Sequence, residues 1–156
     1  MPQIQALAGR CLAEYYPPDA FWSAMSDWPS GQLAACDGRA VAGFLCGARK
    51  SGSVATVALL AVDERMRGRG IGSALLGAFL EAAFGEGFSV VDLEARADDQ
   101  RAISFYEGRG FARAELRPMA YADGSDAVCM AICGPPERRV GAPLKPLRST
   151  GFMKLV

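Results

Sequence analysis

The spacing of hydrophobic positions changes repeatedly along the chain, and each change marks an element. Over residues 2 to about 16, Ile4, Leu7, Ala8, Cys11, Leu12 and Tyr15 recur every three or four positions, which predicts a helix that Pro17-Pro18 ends. A short second helix is expected over 19–25. From Gly31 the period falls toward two. Residues 32–36 and 39–48 flank Asp37-Gly38, a two-residue hairpin signal, and 49–53 read as a polar turn. Residues 54–62 are almost continuously apolar, as in a strand buried on both faces.

Helical spacing returns over 73–84 at Leu75, Leu76, Phe79, Leu80 and Ala83, and Gly85 and Gly87 stop it. Residues 88–95 alternate, with Val91, Leu93 and Ala95 to one side and Val90, Asp92 and Glu94 to the other. A helix is expected over 99–107, capped by Asp98 or Asp99 and closed by Gly108 and Gly110. Residues 111–121 and 126–133 form a last hairpin around Asp123-Gly124-Ser125, and Pro135-Pro136 opens a basic, proline-spotted tail. The pattern is α+β, a mixed α/β fold in which antiparallel hairpins flank a β-α-β-α core. It divides into one domain at 1–134 and a tail at 135–156. The aromatic residues Tyr15, Tyr16, Phe21, Trp22 and Trp28 crowd the first quarter, where they either pack helices onto a sheet or line an acceptor pocket.

Composition narrows the chemistry. The 156 residues include 17 basic and 17 acidic side chains, so no broad electrostatic footprint for nucleic acid or anionic membrane exists. No apolar run reaches the roughly 18–20 residues that span a bilayer, and Gln3, Gln5 and Glu14 interrupt any signal-peptide layout. Five scattered cysteines without a C-x-x-C read as reduced thiols, so a cytoplasmic protein with no metal site is expected. Histidine is absent, which removes Ser-His-Asp, Cys-His and HExxH chemistry. Proton transfer must then use carboxylates, tyrosine, lysine, thiols or water.

Between the apolar strand and the following helix lies Arg67-Gly68-Arg69-Gly70-Ile71-Gly72-Ser73. Strand, glycine-rich turn and helix in that order make a phosphate site, because backbone N–H groups converge and the helix dipole adds positive charge. A P-loop is excluded, since no lysine lies between Lys50 and Lys145. A dinucleotide turn is disfavoured because Leu75 stands where its third glycine belongs, although Asp92 lies at the spacing of a ribose ligand. The remaining spacing is Arg/Gln-x-x-Gly-x-Gly/Ala, met by Arg67, Gly70 and Gly72.

Here the chain resembles the GNAT (GCN5-related) N-acetyltransferase superfamily. The stretch LLAVDERMRGRGIGSALL looks like its strand-turn-helix core, and VDLEARADDQRAISFYEGRGF looks like its next strand and helix. The resemblance implies a central, mostly antiparallel sheet flanked by helices. It implies acetyl-CoA held by Leu60, Ala61, Val62, Arg67, Gly68, Arg69, Gly70, Ile71, Gly72, Ser73, Asp99 and Tyr106. Arg65 is expected beside Arg67 and Arg69 as a third cation at the pyrophosphate. Two departures stand out. The family's usual first strand is missing before the first helix, so its edge is expected to be filled by an earlier start, by the tail (151–156 has strand character) or by a partner chain. Asp99 stands where an asparagine that touches the cofactor is common.

Direct acetyl transfer to an amine needs a base, an oxyanion donor and an acid for the leaving thiolate. Where some family members carry a glutamate before the turn, this chain has Thr56, which leaves Glu94. The pair Glu94 and Tyr106 resembles that of the ribosomal-protein alanine N-acetyltransferases, which implies Glu94 as base and Tyr106 as acid. Burial in the sheet is expected to raise the Glu94 carboxyl toward neutrality, and an ordinary tyrosine would sit only about 1.5 units above a thiol. A backbone N–H near Ala61 or Val62 is expected to meet the oxyanion. The acceptor stays open between a protein N-terminal or lysine amine and a small amine. A homodimer and a non-catalytic acyl-CoA-binding module also stay open.

Overall fold

The computed structural model describes residues 1–12 and 15–135, and the backbone of a further strand at 152–154. Helix α1 (Pro2–Cys11) ends where Leu12 turns extended, at φ −106° and ψ 140°. It is shorter than the hydrophobic pattern suggests: Tyr15 is 84% exposed, so nothing apolar draws the helix onward. Helix α2 (Pro18–Asp27) is longer than expected and inserts Phe21 edge-on against Phe44, ring centroids 6.0 Å apart.

Strands β1 (Gln32–Asp37) and β2 (Ala40–Ser51) form the hairpin closed at Gly38, whose φ of +61° suits glycine. β2 runs past the expected turn because Arg49 lies over the rings of Trp28 and Phe88 and pairs with Glu86. Strand β3 (Val54–Val62) pairs antiparallel with β2, and helix α3 (Ile71–Gly85) follows the glycine turn. Strand β4 (Val90–Arg96) lies parallel to β3, and Asp99 caps α4 (Gln100–Glu107) by accepting the Ala102 N–H at 2.9 Å. Strands β5 (Ala112–Arg117) and β6 (Ala127–Cys133) close the expected hairpin, though β5 stops before residues 118–121. Strand β7 (Phe152–Lys154) pairs antiparallel with β1, giving the order β5-β6-β4-β3-β2-β1-β7. Residues 136–151 and 155–156 of the expected tail lie outside the described residues. No described helix is long and apolar enough to cross a membrane.

The sheet carries a core on each face. Leu45, Ala55, Val57 and Val91 meet Leu75, Leu76 and Phe79 of α3 and Ile103 of α4. Phe44, Cys46 and Ala61 meet Ile4, Leu7 and Ala8 of α1 and Phe21 of α2. Strand β3 serves both through a bulge: Cys46 opposes Leu59 while Gly47 opposes Val57, leaving Ala58 unpaired. Before it, Ala55 and Val57 face the α3 side. Beyond it, Leu60 takes that side and Ala61 faces α1. The bulge, with Ala58 exposed, is the departure from a strand buried evenly on both faces.

Trp28 seals the α3 side, 1% exposed, its ring against Phe79 and Phe88 and its indole N–H donating to Glu86 at 2.9 Å. Gly47 admits the same Phe79. A Cβ there would stand 2.1 Å from the ring and 3.0 Å from the Gly31 carbonyl oxygen. Overpacking of this kind costs about 1–3 kcal/mol. Gly47→Ala is therefore expected to lower the melting temperature by several degrees in a thermal scan; an unchanged midpoint would show that Phe79 moves aside freely.

Candidate active site

Past Val62, a short 3-10 turn (Glu64–Met66) is capped by Asp63, which accepts the Arg65 N–H. Gly68 and Gly70 then take φ of +76° and +77°, a left-handed backbone that a side chain would strain. Gly70 is the N-cap of α3 and offers no side-chain acceptor, so the first-turn N–H groups of Ile71, Gly72 and Ser73 stay open at the positive end of the helix dipole. They face a groove of about 600 Å³. Leu60, Ala61, Val62, Arg67, Gly68, Gly70, Ile71, Gly72 and Ser73 line one side of it, and Asp99, Phe105, Tyr106 and Arg109 the other.

Of the residues expected at the cofactor, the groove gathers all but Arg69. Arg65 stays outside as well, so the expected trio of cations reduces to Arg67. The reason is local: the turn is wound by its two left-handed glycines, and only Arg67 folds back, its Nε donating to the Val62 carbonyl at 3.3 Å and its Nη1 3.5 Å from Glu64. Asp99 does line the groove, but one carboxylate oxygen is engaged as the α4 cap. The sequence pattern missed Arg101 and Arg109, which supply the cations of the far wall. Arg109 lies within the quoted EGRGF ending, and its place one helical turn after Phe105 was the available signal.

Strands β3 and β4 are paired only from Val54↔Val90 to Val57↔Leu93. Beyond that point β3 continues on β2 and β4 continues on β6, so the sheet opens between them. A second cleft of about 640 Å³ fills the opening, lined by Thr56, Ala58, Leu59, Glu94 and Arg96, with Lys50, Tyr16 and Tyr121 at its margins. The two cavities meet: Leu12, Leu60, Asp99, Ala102 and Tyr106 line both.

The split also frees backbone donors. Asp63 N–H donates to the Ala42 carbonyl at 2.8 Å, and N–H direction alternates along an antiparallel ladder. The Ala61 N–H therefore points at β2, and those of Leu60 and Val62 point into the split. The Val62 carbonyl agrees, since it accepts from Arg67 and from Cys11 Sγ at 3.6 Å. The oxyanion donor expected near Ala61 or Val62 thus falls to Leu60 or Val62, because the Ala61 N–H is held in the sheet.

Tyr106 sits at the seam. Its ring packs edge-on against Phe105 and Phe111, with centroids 5.1 and 5.7 Å away, while no described residue hydrogen-bonds its hydroxyl. Burial, with smaller contributions from Asp99 and Tyr121, pushes its pKa up to about 12. Glu94 corrects an expectation. It is not buried: its side chain is 38% exposed and ion-paired with Arg117 on β5. Helices α1 and α2 cover β2 and β3 but stop short of β4, and every residue of β5 is exposed. Beside it, Lys50 Nζ reaches Asp92 at 2.6 Å. Neither Lys50 nor Arg117 was singled out from sequence, because their partners lie 42 and 23 residues away. Of the early aromatics, Phe21 and Trp28 are core, Trp22 is exposed and Tyr16 reaches the cleft.

Known proteins agree with this geometry. An uncharacterized protein of Mycobacterium leprae, ML0378, is 46% identical over 72 residues, which span 46% of this chain but only 19% of that protein. The N-alpha-acetyltransferase RimI of Mycobacterium tuberculosis is 33% identical over 120 residues, covering 74% of this chain and 73% of the relative. The crystal structure of Ard1 from Thermoplasma volcanium superposes with a TM-score of 0.81 at 34% identity, over 85% of this chain and 89% of that one. Residues 1–111 match the acetyltransferase (GNAT) family as a whole. With the glycine turn, the split strands and that match in one chain, this protein belongs to the GNAT acetyltransferase family.

Proposed function

We propose that this N-acetyltransferase moves the acetyl group of acetyl-CoA onto the α-amino group of a peptide or protein, with Glu94 as base and Tyr106 as acid. The observation that carries the reading is the meeting of the two cavities at Tyr106, whose hydroxyl has no described partner. Acetyl-CoA supplies an activated acyl group and a thiol leaving group. Its pyrophosphate suits the open N–H groups of Ile71, Gly72 and Ser73. The N–H groups of Leu60 and Val62 are available to an oxyanion, and one such donor is worth about 2.7–4 kcal/mol.

On the acceptor side, Glu94 lines the cleft and takes the ammonium proton, directly or through a bridging water. Its exposure favours an acceptor that releases that proton readily. An α-amino group titrates near ~7.7–8.0 and a lysine near ~10.4, a difference of roughly 3.5 kcal/mol. The M. tuberculosis relative, an N-alpha-acetyltransferase by name, points the same way.

Tyr106 is a weaker acid than a free tyrosine. From about 12 to a thiol near ~8.5 is about 3.5 units, or ~5 kcal/mol, against the ~2 kcal/mol of an unshifted phenol. It therefore stays protonated throughout the working range, donates a hydrogen bond to the charge developing on sulfur, and passes its proton only as the C–S bond breaks. Five free thiols fit a reducing compartment, and the protein is read as cytoplasmic.

Acetyl-CoA-dependent thiol release is expected to be fastest with short peptides bearing a free N-terminus. Faster turnover of N-blocked lysine peptides or of polyamines would overturn the acceptor assignment. Tyr106→Phe and Glu94→Gln are each expected to lower kcat by about 100-fold while calorimetry shows CoA binding nearly unchanged; equal losses in both would make these residues ligands only. CoA at 100 times its Kd is expected to add about 2.7 kcal/mol of stability, and no shift in Tm would remove the cofactor from the groove. In alkali, the stability that Tyr106 contributes is complete below pH ~10 and lost as pH rises through about 12, so Tyr106→Phe flattens that part of the urea-stability profile.

A further inference from the structure

We infer that Arg109 is the second half of the phosphate cradle, a guanidinium aimed from the end of α4 at the pyrophosphate that the α3 turn receives. The inference rests on the acetyl-CoA reading of the groove. Arg109 Nη2 donates to Ser73 Oγ on the first turn of α3, and Nη1 donates to the Phe105 carbonyl at 2.8 Å. The guanidinium lies on the face of Phe105, 3.8 Å from the ring centroid. Phe105 is itself seated on the turn, since a Cβ on Gly72 would be 3.4 Å from its ring. Ring, glycine, serine and arginine thus lock the two walls of the groove together.

What this lock lacks is a negative charge. Arg67, on the near wall, pairs with Glu64, whereas among the described residues neither Arg101 nor Arg109 of the far wall pairs with a carboxylate, and of these two only Arg109 is locked against the turn. No described carboxylate forms an ion pair with Arg109, which is half-buried and held by neutral acceptors and an aromatic face. A partly desolvated cation fixed in this way is stabilised by an incoming anion. Its planar fork suits phosphate, and its side chain keeps N–H groups beyond the two engaged ones on a residue that lines the groove. Because Ser73 Oγ accepts from Arg109, the serine's own proton is left to donate. Arg109 therefore also orients a second phosphate donor. Ser73 belongs to the turn, which assigns the contact to the pyrophosphate and not to the 3′-phosphate.

The test compares CoA, 3′-dephospho-CoA and phosphate-free pantetheine on the full chain. Binding of the first two is measured by calorimetry, and that of pantetheine by competition against acetyl-CoA. Arg109→Gln is expected to weaken CoA and dephospho-CoA alike, by roughly tenfold, and to leave pantetheine within about twofold. Ser73→Ala, which keeps the guanidinium and its stack, is expected to show the same selectivity at smaller size. Equal weakening of all three ligands by Arg109→Gln would make Arg109 a pin between helices and overturn the inference. A loss seen with CoA but absent with dephospho-CoA would overturn the pyrophosphate assignment. If the unaltered protein binds pantetheine as tightly as CoA, the failure lies instead with the cofactor reading itself.

Discussion

The structure depends on where one pair of strands stops being a pair. Parallel bonding between β3 and β4 ends at Val57 and Leu93, yet both strands continue, each supported by its other neighbour. A sheet that opens in its middle exposes backbone donors that would otherwise be engaged, and leaves them to water or to a ligand. The candidate site residues are gathered by the geometry of that opening. The glycine turn lies at the end of β3, Glu94 is the first residue of β4 past the last pair, and Tyr106 closes the gap from α4.

Electrostatics are arranged locally, not globally. The chain has no net charge, and most described cations are matched to a carboxylate across the surface, as with Arg10 and Asp63 or Lys50 and Asp92. Exposed pairs of this kind contribute little to stability, on the order of 0–1 kcal/mol each. The exception is the groove, where Arg101 and Arg109 face the dipole of α3 across a space that also holds Asp99. A neutral composition therefore conceals a groove suited to an anion.

Much of the fold was legible because it rests on short-range rules. Alternation, helical spacing and glycine stops placed β1 to β4, α3 and α4 within a few residues, and narrowed the α4 cap to Asp98 or Asp99, of which Asp99 accepts the Ala102 N–H. The bulge at Ala58 was not legible, because an unbroken apolar run hides which face each residue takes. The exposure of Glu94 was missed for a related reason: alternation shows that it faces away from Leu93, but not that α1 and α2 fail to reach it. Arg65 and Arg69 looked equivalent to Arg67 in sequence and were separated only by how the turn winds. Long-range partners such as Ser73 with Arg109 lie beyond any local pattern.

The bulge has a consequence for how such a protein diversifies. Ala58 belongs to neither core, lines the cleft proposed for the acceptor and has no strand partner opposite it. A larger or more polar side chain at that point would reshape the acceptor entrance without displacing a single buried methyl group. The glycine turn and Tyr106 would keep their places. Acceptor choice can thus drift in evolution along a position that stability does not constrain, while the acetyl donor stays fixed.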